Sequence, residues 1–239
     1  MRLNQIDPTD SANTSCDRPT QKRKIRPTRR SVSGVYSFRG ETAVPFESTL
    51  ERDFLTRTEY FTSVFDVISQ PVQIPFIDRN SREYTYTPDF LVYRHLDKIS
   101  FHSYPKPQLI EVKPASEWRQ HWRKWLPKWK AARRLAKENG WDFRIYDESR
   151  IRDQTLENIR FLERFKRTDY PAEETLMILQ TIKDMGSVPF HYLLAKHFAG
   201  NDRSIGVAHI WHLLATRQVD CDIDQKLCDL TEFWICPDE

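Results

Sequence analysis

The chain has 239 residues, of which 39% are hydrophobic and 13% aromatic, enough to bury one ordinary core or two small ones. Lysine plus arginine outnumber aspartate plus glutamate by only 37 to 34, a formal net charge of +3, which excludes a uniformly basic molecule. No run approaches the ~18 apolar residues of a membrane span, and the first residues lack the apolar centre of a secretory signal, so a soluble, cytoplasmic protein is expected.

Taken in chain order, residues 1–33 are polar, carry no hydrophobic period, and are expected to form a flexible arm. Within it Arg18, Lys22, Arg23, Lys24, Arg26, Arg29 and Arg30 stand together with no acidic residue among them, a composition suited to phosphate contact or, read blandly, to a solvated tail. From Ser48, the residues Leu50, Phe54, Phe61, Val64, Phe65 and Ile68 recur at helical intervals, which predicts an amphipathic helix running to Pro71. Alternation over 71–77 and β-formers over 84–93, separated by the turn formers Asp78, Asn80 and Ser81, predict a hairpin. After a loop containing His95, His102, Pro105 and Pro107, the run Leu109-Ile110-Glu111-Val112-Lys113 reads as a third strand ended by Pro114.

A long helix is predicted over 115–139, capped by Gly140, with Pro127 kinking or breaking it. Its Trp118, Trp122, Trp125 and Trp129 recur at helical spacing and are expected to pack into the core, interleaved with Arg119, Arg123, Lys124, Lys128, Lys130, Arg133, Arg134 and Lys137. Those cations are candidates for sequence-independent phosphate contacts, with a solvated helix face as the alternative. A fourth strand over 141–146 completes a mixed sheet flanked by helices. From Asp153 the period is helical through Leu156 to Phe165, Leu176 to Met185, His191 to Phe198 and Ile205 to Thr216. A closing hairpin over 219–235 would give this mostly helical region a winged-helix shape. Cys16, Cys221, Cys228 and Cys236 show no paired spacing, so reduced structural thiols are expected, and a zinc site of His209, His212, Cys221 and Cys228 would fit no standard pattern.

Three features converge on metal-assisted phosphodiester hydrolysis. Asp89 follows Pro88 in one strand, while Glu111 and Lys113 share one face of the next because strand side chains alternate. Two carboxylates on neighbouring strands suit Mg²⁺, a hard cation that takes oxygen ligands at about 2.0–2.1 Å, and the Lys113 ammonium would steady the attacking water. Glu51 can add a carboxylate from the preceding helix, although Ser48-Thr49-Leu50-Glu51 is also a capping box in which Glu51 only caps. Glu-x-Lys alone is commonly a solvated strand face. Together, these charges inside short apolar strands need a reason to face inward.

The segments Phe46-Glu47-Ser48-Thr49-Leu50-Glu51, Gln70-Pro71, Tyr86-Thr87-Pro88-Asp89-Phe90-Leu91-Val92 and Ile110-Glu111-Val112-Lys113-Pro114 resemble the signature of TnsA, the endonuclease subunit of heteromeric cut-and-paste transposons. The likeness is strongest over 46–146. It implies a restriction-endonuclease-like α/β core of the PD-(D/E)xK type over 34–150, followed by a mostly α, winged-helix-like domain over 151–239. It further implies that Glu51 is the helix-borne acid, Asp89 the central metal-binding aspartate, Glu111 the third ligand (Gln in some relatives) and Lys113 the catalytic lysine. The Val112 carbonyl between them is a further candidate ligand. The implied cofactor is Mg²⁺, with Mn²⁺ substituting. The implied partners are double-stranded DNA at transposon ends, a TnsB-type transposase that cuts the 3′ ends while this subunit nicks the 5′ ends, and a TnsC-type AAA+ ATPase. The last of these would contact the C-terminal region, whose acidic end (Asp220, Asp222, Asp224, Asp229, Glu232, Asp238, Glu239) suits DNA poorly. A stand-alone restriction or repair nuclease, and a non-catalytic DNA or ATPase adaptor, are the alternatives.

Overall fold

The computed structural model describes residues 19–23, 32–95, 104–198 and 200–235. Arg18, Lys24, Arg26, Arg29 and Arg30 of the basic arm, Cys16, His102, Cys236, Asp238 and Glu239 lie outside the described residues. A hairpin of β1 (Gly34–Phe38) and β2 (Thr42–Phe46) leads into α1 (Thr49–Tyr60). The central sheet follows, with order β3-β6-β7-β8: β3 (Val64–Ser69), β6 (Phe90–Arg94) and β7 (Gln108–Val112) are antiparallel, and β8 (Asp142–Tyr146) runs parallel to β7. A separate hairpin, β4 (Ile74–Ile77) with β5 (Glu83–Tyr86), precedes β6, and α2 (Ala115–Glu138) makes the crossover from β7 to β8.

Two sequence expectations for this half are corrected. The helix from Ser48 ends at Tyr60, and residues 64–69 form a strand instead. Val64, Phe65, Val67 and Ile68 are stiff β-formers, and pairing with β6 prevails over an apolar spacing that also suits a helix. The run 84–93 is not one strand of a hairpin: it divides at Thr87-Pro88-Asp89 into β5, which pairs with β4, and β6, which enters the central sheet. Pro88 has no N–H to give to a ladder, so the chain changes sheets there.

The sheet has an apolar cluster on each face. Phe90, Val92, Ile110 and Val112 meet α1 and the first hairpin through Phe54, Leu55, Phe38 and Val44, with Phe54 and Phe90 stacked at 5.3 Å. The alternate residues Leu91 and Leu109 meet Ile74, Tyr86, Ala132 and Ala136 on the other face. α2 runs unbroken through Pro127, because the carbonyl that loses its donor belongs to Arg123 on an exposed turn. Gly140, at φ +71, supplies the left-handed residue that ends the helix. Only Ala132 and Ala136 of α2 are buried, and Trp122 is 44% exposed; the expected tryptophan core stripe is therefore limited to Trp129, which packs on the β4–β5 side. The first half of the helix, residues 115–126, contains no buried residue.

The C-terminal half contains α3 (Glu148–Ile151), α4 (Gln154–Leu162), α5 (Ala172–Met185), α6 (Phe190–His197) and α7 (Arg203–Ala215), around Ile178, Ile182, Leu193, Trp211 and Leu214. The expected 219–235 hairpin is reduced to one antiparallel pair at its ends. β10 (Glu232–Phe233) pairs instead with β9 (Val188–Pro189), and Asp220 meets Trp234 in a single bridge. His209 and His212 do not gather with cysteines: His209 Nε2 shares a hydrogen bond with Thr175 at 2.8 Å, and His212 Nδ1 lies 2.8 Å from the Phe165 carbonyl.

α4 belongs to both halves, with Leu156 in the sheet-side cluster and Ile159 and Leu162 in the C-terminal one. Polar contacts fasten the same seam. Asp53 of α1, 2% exposed, accepts from Arg152 Nε at 2.7 Å and Arg160 Nη2 at 2.5 Å, and Arg57 reaches Asp153, the N-cap of α4, at 2.9 Å. The two arginines on Asp53 are half exposed, so solvent screens part of the gain. Asp53→Ala is expected to lower unfolding stability by about 2 kcal/mol, mostly from two lost charge-assisted hydrogen bonds, as measured by urea denaturation.

Candidate active site

Asp89 is built into the sheet. Its backbone N–H donates to the Ile110 carbonyl (3.0 Å), its carbonyl accepts from Gln70 N–H (2.8 Å), and its side-chain Oδ2 accepts from Val112 N–H (2.7 Å). The carboxylate thus continues the β6–β7 ladder one step past the last backbone pair. Gln70 reaches Asp89 from a left-handed backbone (φ +48) that turns the chain sharply out of β3, at a strain of about 1 kcal/mol. The N–H and C=O of an extended residue project to the same edge, so the Val112 carbonyl is also on the Asp89 side of β7.

Strand alternation sends Glu111 and Lys113 to the α2 face, opposite Ile110 and Val112. Glu111 is 1% exposed. Its Oε2 accepts from the Tyr86 hydroxyl at 2.6 Å, and its Oε1 lies 2.9 Å from Lys128 Nζ and 3.9 Å from Lys113 Nζ. Glu51, also buried, stands at the first turn of α1. Its N–H donates to Ser48 Oγ (3.1 Å), its Oε1 accepts from the same hydroxyl (2.9 Å), and its Oε2 accepts from Glu47 N–H (2.8 Å). This is a capping box that closes on the residue before the N-cap. The carboxylate still lies close enough to Lys113 and Asp89 to act on both electrostatically, so the two readings of Glu51 are compatible.

Burial and crowding of like charge dominate the electrostatics. Burial pushes the Asp89 carboxyl well above the ordinary range, the Glu111 charge pushes it further, and Lys113 opposes both. Burial also raises the Glu51 carboxyl, against the Glu47 amide, the Ser48 hydroxyl and Lys113. The Asp89 charge, aided by Glu111 and Glu51, holds the Lys113 ammonium above its usual value in spite of burial. Tyr86 is raised by burial and by Glu111, so its phenol stays protonated and donates.

Three buried acids thus face two partly buried ammonium groups. Among the described residues no three His, Cys, Asp or Glu side chains already converge as an ion cage. The donor chemistry nevertheless fits a hard divalent cation, because Asp89 uses one oxygen on a backbone N–H, the Val112 carbonyl is beside it, and the like-charge crowding would be relieved by added positive charge.

Of the cations expected to meet phosphate, Arg119, Arg123, Lys124 and Lys130 are exposed on α2, and Lys22 is exposed on the short N-terminal segment. Arg23 is committed internally, to Gln70 Oε1 at 3.0 Å and to Glu47. Lys128 is inside the site. Sequence reasoning gives Tyr86 no site role, although it lies in the same Tyr-Thr-Pro-Asp stretch as Asp89, and gives Lys128 only a phosphate contact. The helical register of Lys128 alone does not tell an inward lysine from its exposed neighbours. Arg133, Arg144 and Arg150 line a cavity of about 300 Å³ with Trp118 and Asp147.

Two family models match the sequence: one described as TnsA-like endonuclease N terminal over residues 62–148, and one described as TnsA endonuclease C terminal over 150–223. No curated protein matches it.

The raised Asp89 carboxyl has a consequence for stability. A group whose folded value lies above its unfolded one contributes stability below the unfolded value and loses it as pH rises through the folded value. As pH rises above the ordinary carboxylate range, the buried, crowded Asp89 therefore destabilises the metal-free protein. Asp89→Asn, whose amide oxygen can still accept from Val112 N–H, is expected to raise the metal-free melting temperature by a few degrees at pH 7 and by less at pH 4, as followed by circular dichroism.

Proposed function

The chain belongs to the TnsA endonuclease family, and from that premise we propose that this transposon-associated endonuclease cleaves DNA by Mg²⁺-dependent hydrolysis at Asp89, Glu111 and Lys113. The observation that carries the reading is the meeting of two buried carboxylates, Asp89 just before β6 and Glu111 on β7, with the Lys113 ammonium acting on both. The core is read as restriction-endonuclease-like on the same ground.

Asp89, Glu111 and the Val112 carbonyl would hold the cation, with Glu51 adding a carboxylate from α1. When bound there, Mg²⁺ or Mn²⁺ would supply a Lewis acid for the scissile phosphate and lower the pKa of the attacking water. Lys113, kept charged by its acidic neighbours, orients that water and offsets charge building on the phosphoryl oxygens. Tyr86 keeps Glu111 turned into the site. The exposed Arg119, Arg123, Lys124 and Lys130 grip the backbone of double-stranded DNA without reading its sequence.

In the cell the protein is read as a cytoplasmic subunit that nicks the 5′ ends of the element. A TnsB-type transposase processes the 3′ ends, and a TnsC-type AAA+ ATPase docks on the C-terminal helices. The test is strand mapping on end-labelled transposon-end duplex with the neighbouring transposase and Mg²⁺. Asp89→Ala and Lys113→Ala should each reduce 5′-end nicking by at least about a hundredfold while the complex still assembles. Wild-type nicking by both variants would remove these residues from the reaction, and cutting of unrelated DNA without the transposase would favour a stand-alone nuclease.

A further inference from the structure

The Lys128 side chain is only 15% exposed, unlike its neighbours Lys124 and Lys130 on the same helix. Its Nζ is 2.9 Å from Glu111 Oε1, nearer than the 3.9 Å of Lys113, and lies over the rings of Tyr86 (4.5 Å), Trp125 (4.9 Å) and Trp129 (5.9 Å). Sequence reasoning makes Lys128 one more phosphate contact on a basic helix. The geometry points elsewhere: we propose that Lys128 is a built-in counter-ion that occupies Glu111 in the metal-free protein and must leave it when a divalent cation binds. This inference rests on the metal-site reading above.

Glu111 is almost wholly buried, and an unpaired carboxylate there would be costly, so some cation must accompany it. Lys128 fills that role on Oε1 while Tyr86 holds Oε2. A divalent ion needs an oxygen of the same carboxylate and repels the ammonium at contact range, so the two cations compete for Glu111. The rings give the displaced ammonium a place to rest. Trp125 and Trp129 flank Lys128 on α2, and a cation held against aromatic faces keeps part of its stabilisation without an anion. Metal loading is thereby coupled to a small movement of one side chain on the exposed basic helix.

The experiment is Mn²⁺ titration calorimetry of the full-length wild type and of Lys128→Met, which keeps an unbranched apolar stem against the rings but no charge. Competition predicts tighter Mn²⁺ binding by the variant, by roughly tenfold, the scale on which residues behind metal ligands act. A purely structural or ligand-positioning role predicts weaker binding, and equal or weaker binding by Lys128→Met would overturn the proposal. A second measurement needs no variant. Reductive methylation of the wild-type protein, read by peptide mass spectrometry, should accelerate at Lys128 relative to Lys124 and Lys130 when Mn²⁺ is added, and an unchanged ratio counts against displacement. The metal-site reading fails separately, taking this inference with it, if the wild type binds no Mn²⁺ or if Asp89→Asn binds it equally well.

Discussion

A carboxylate that takes the place of a backbone acceptor in a sheet organises the site. Asp89 Oδ2 accepts the Val112 N–H where a regular β6 would offer a carbonyl, so the acid is held by the sheet and not by a mobile loop. The same step in the chain follows Pro88, where the strand leaves one hairpin and enters the central sheet. Tyr86, just before that step, therefore points its hydroxyl at Glu111 on the neighbouring strand. Without the change of sheet at 87–89, the tyrosine, the aspartate and the glutamate would lie along one ladder instead of around one point.

That arrangement concentrates negative charge where water is scarce. Each carboxylate is satisfied by a different device: Asp89 by a backbone amide, Glu51 by a helix N-terminus with its capping hydroxyl, and Glu111 by a phenol and an ammonium. None of these removes the burial and mutual repulsion that raise Asp89, and Lys113 offsets them only in part. A fold that retains such a cluster is stabilised less than one with an apolar patch of the same volume, which is the usual sign of a site kept for chemistry.

The surroundings hold the three acids in register from distant parts of the chain. Glu47 donates its backbone N–H to Glu51 and accepts on its carboxylate from Arg23 and the Gln70 side chain, while Gln70 donates its backbone N–H to the Asp89 carbonyl. Asp53, two residues after Glu51, ties α1 to Arg152 and Arg160 at the base of the C-terminal half. A movement of α4 relative to α1 would therefore be felt at Glu51, through one helical turn.

Much of this was legible in the residues alone. Period-two alternation in a short apolar strand places Glu111 and Lys113 on one face, the Pro88-Asp89 and Glu111-Val112-Lys113 pattern marks the candidate acids, and Gly140 ends α2. The C-terminal helices follow from their apolar spacing. These are local properties: the backbone period and the restrictions of proline and glycine act over a few residues whatever packs against them. The strand at 64–69, the division of 84–93, the exposure of Trp122 on α2, the β9–β10 pairing and the inward turn of Lys128 were decided by the tertiary structure. Each depends on which distant surface is available. A valine-rich run becomes a strand because β6 offers a ladder, and a lysine among exposed lysines turns inward because a buried glutamate and three rings converge at that one turn of the helix.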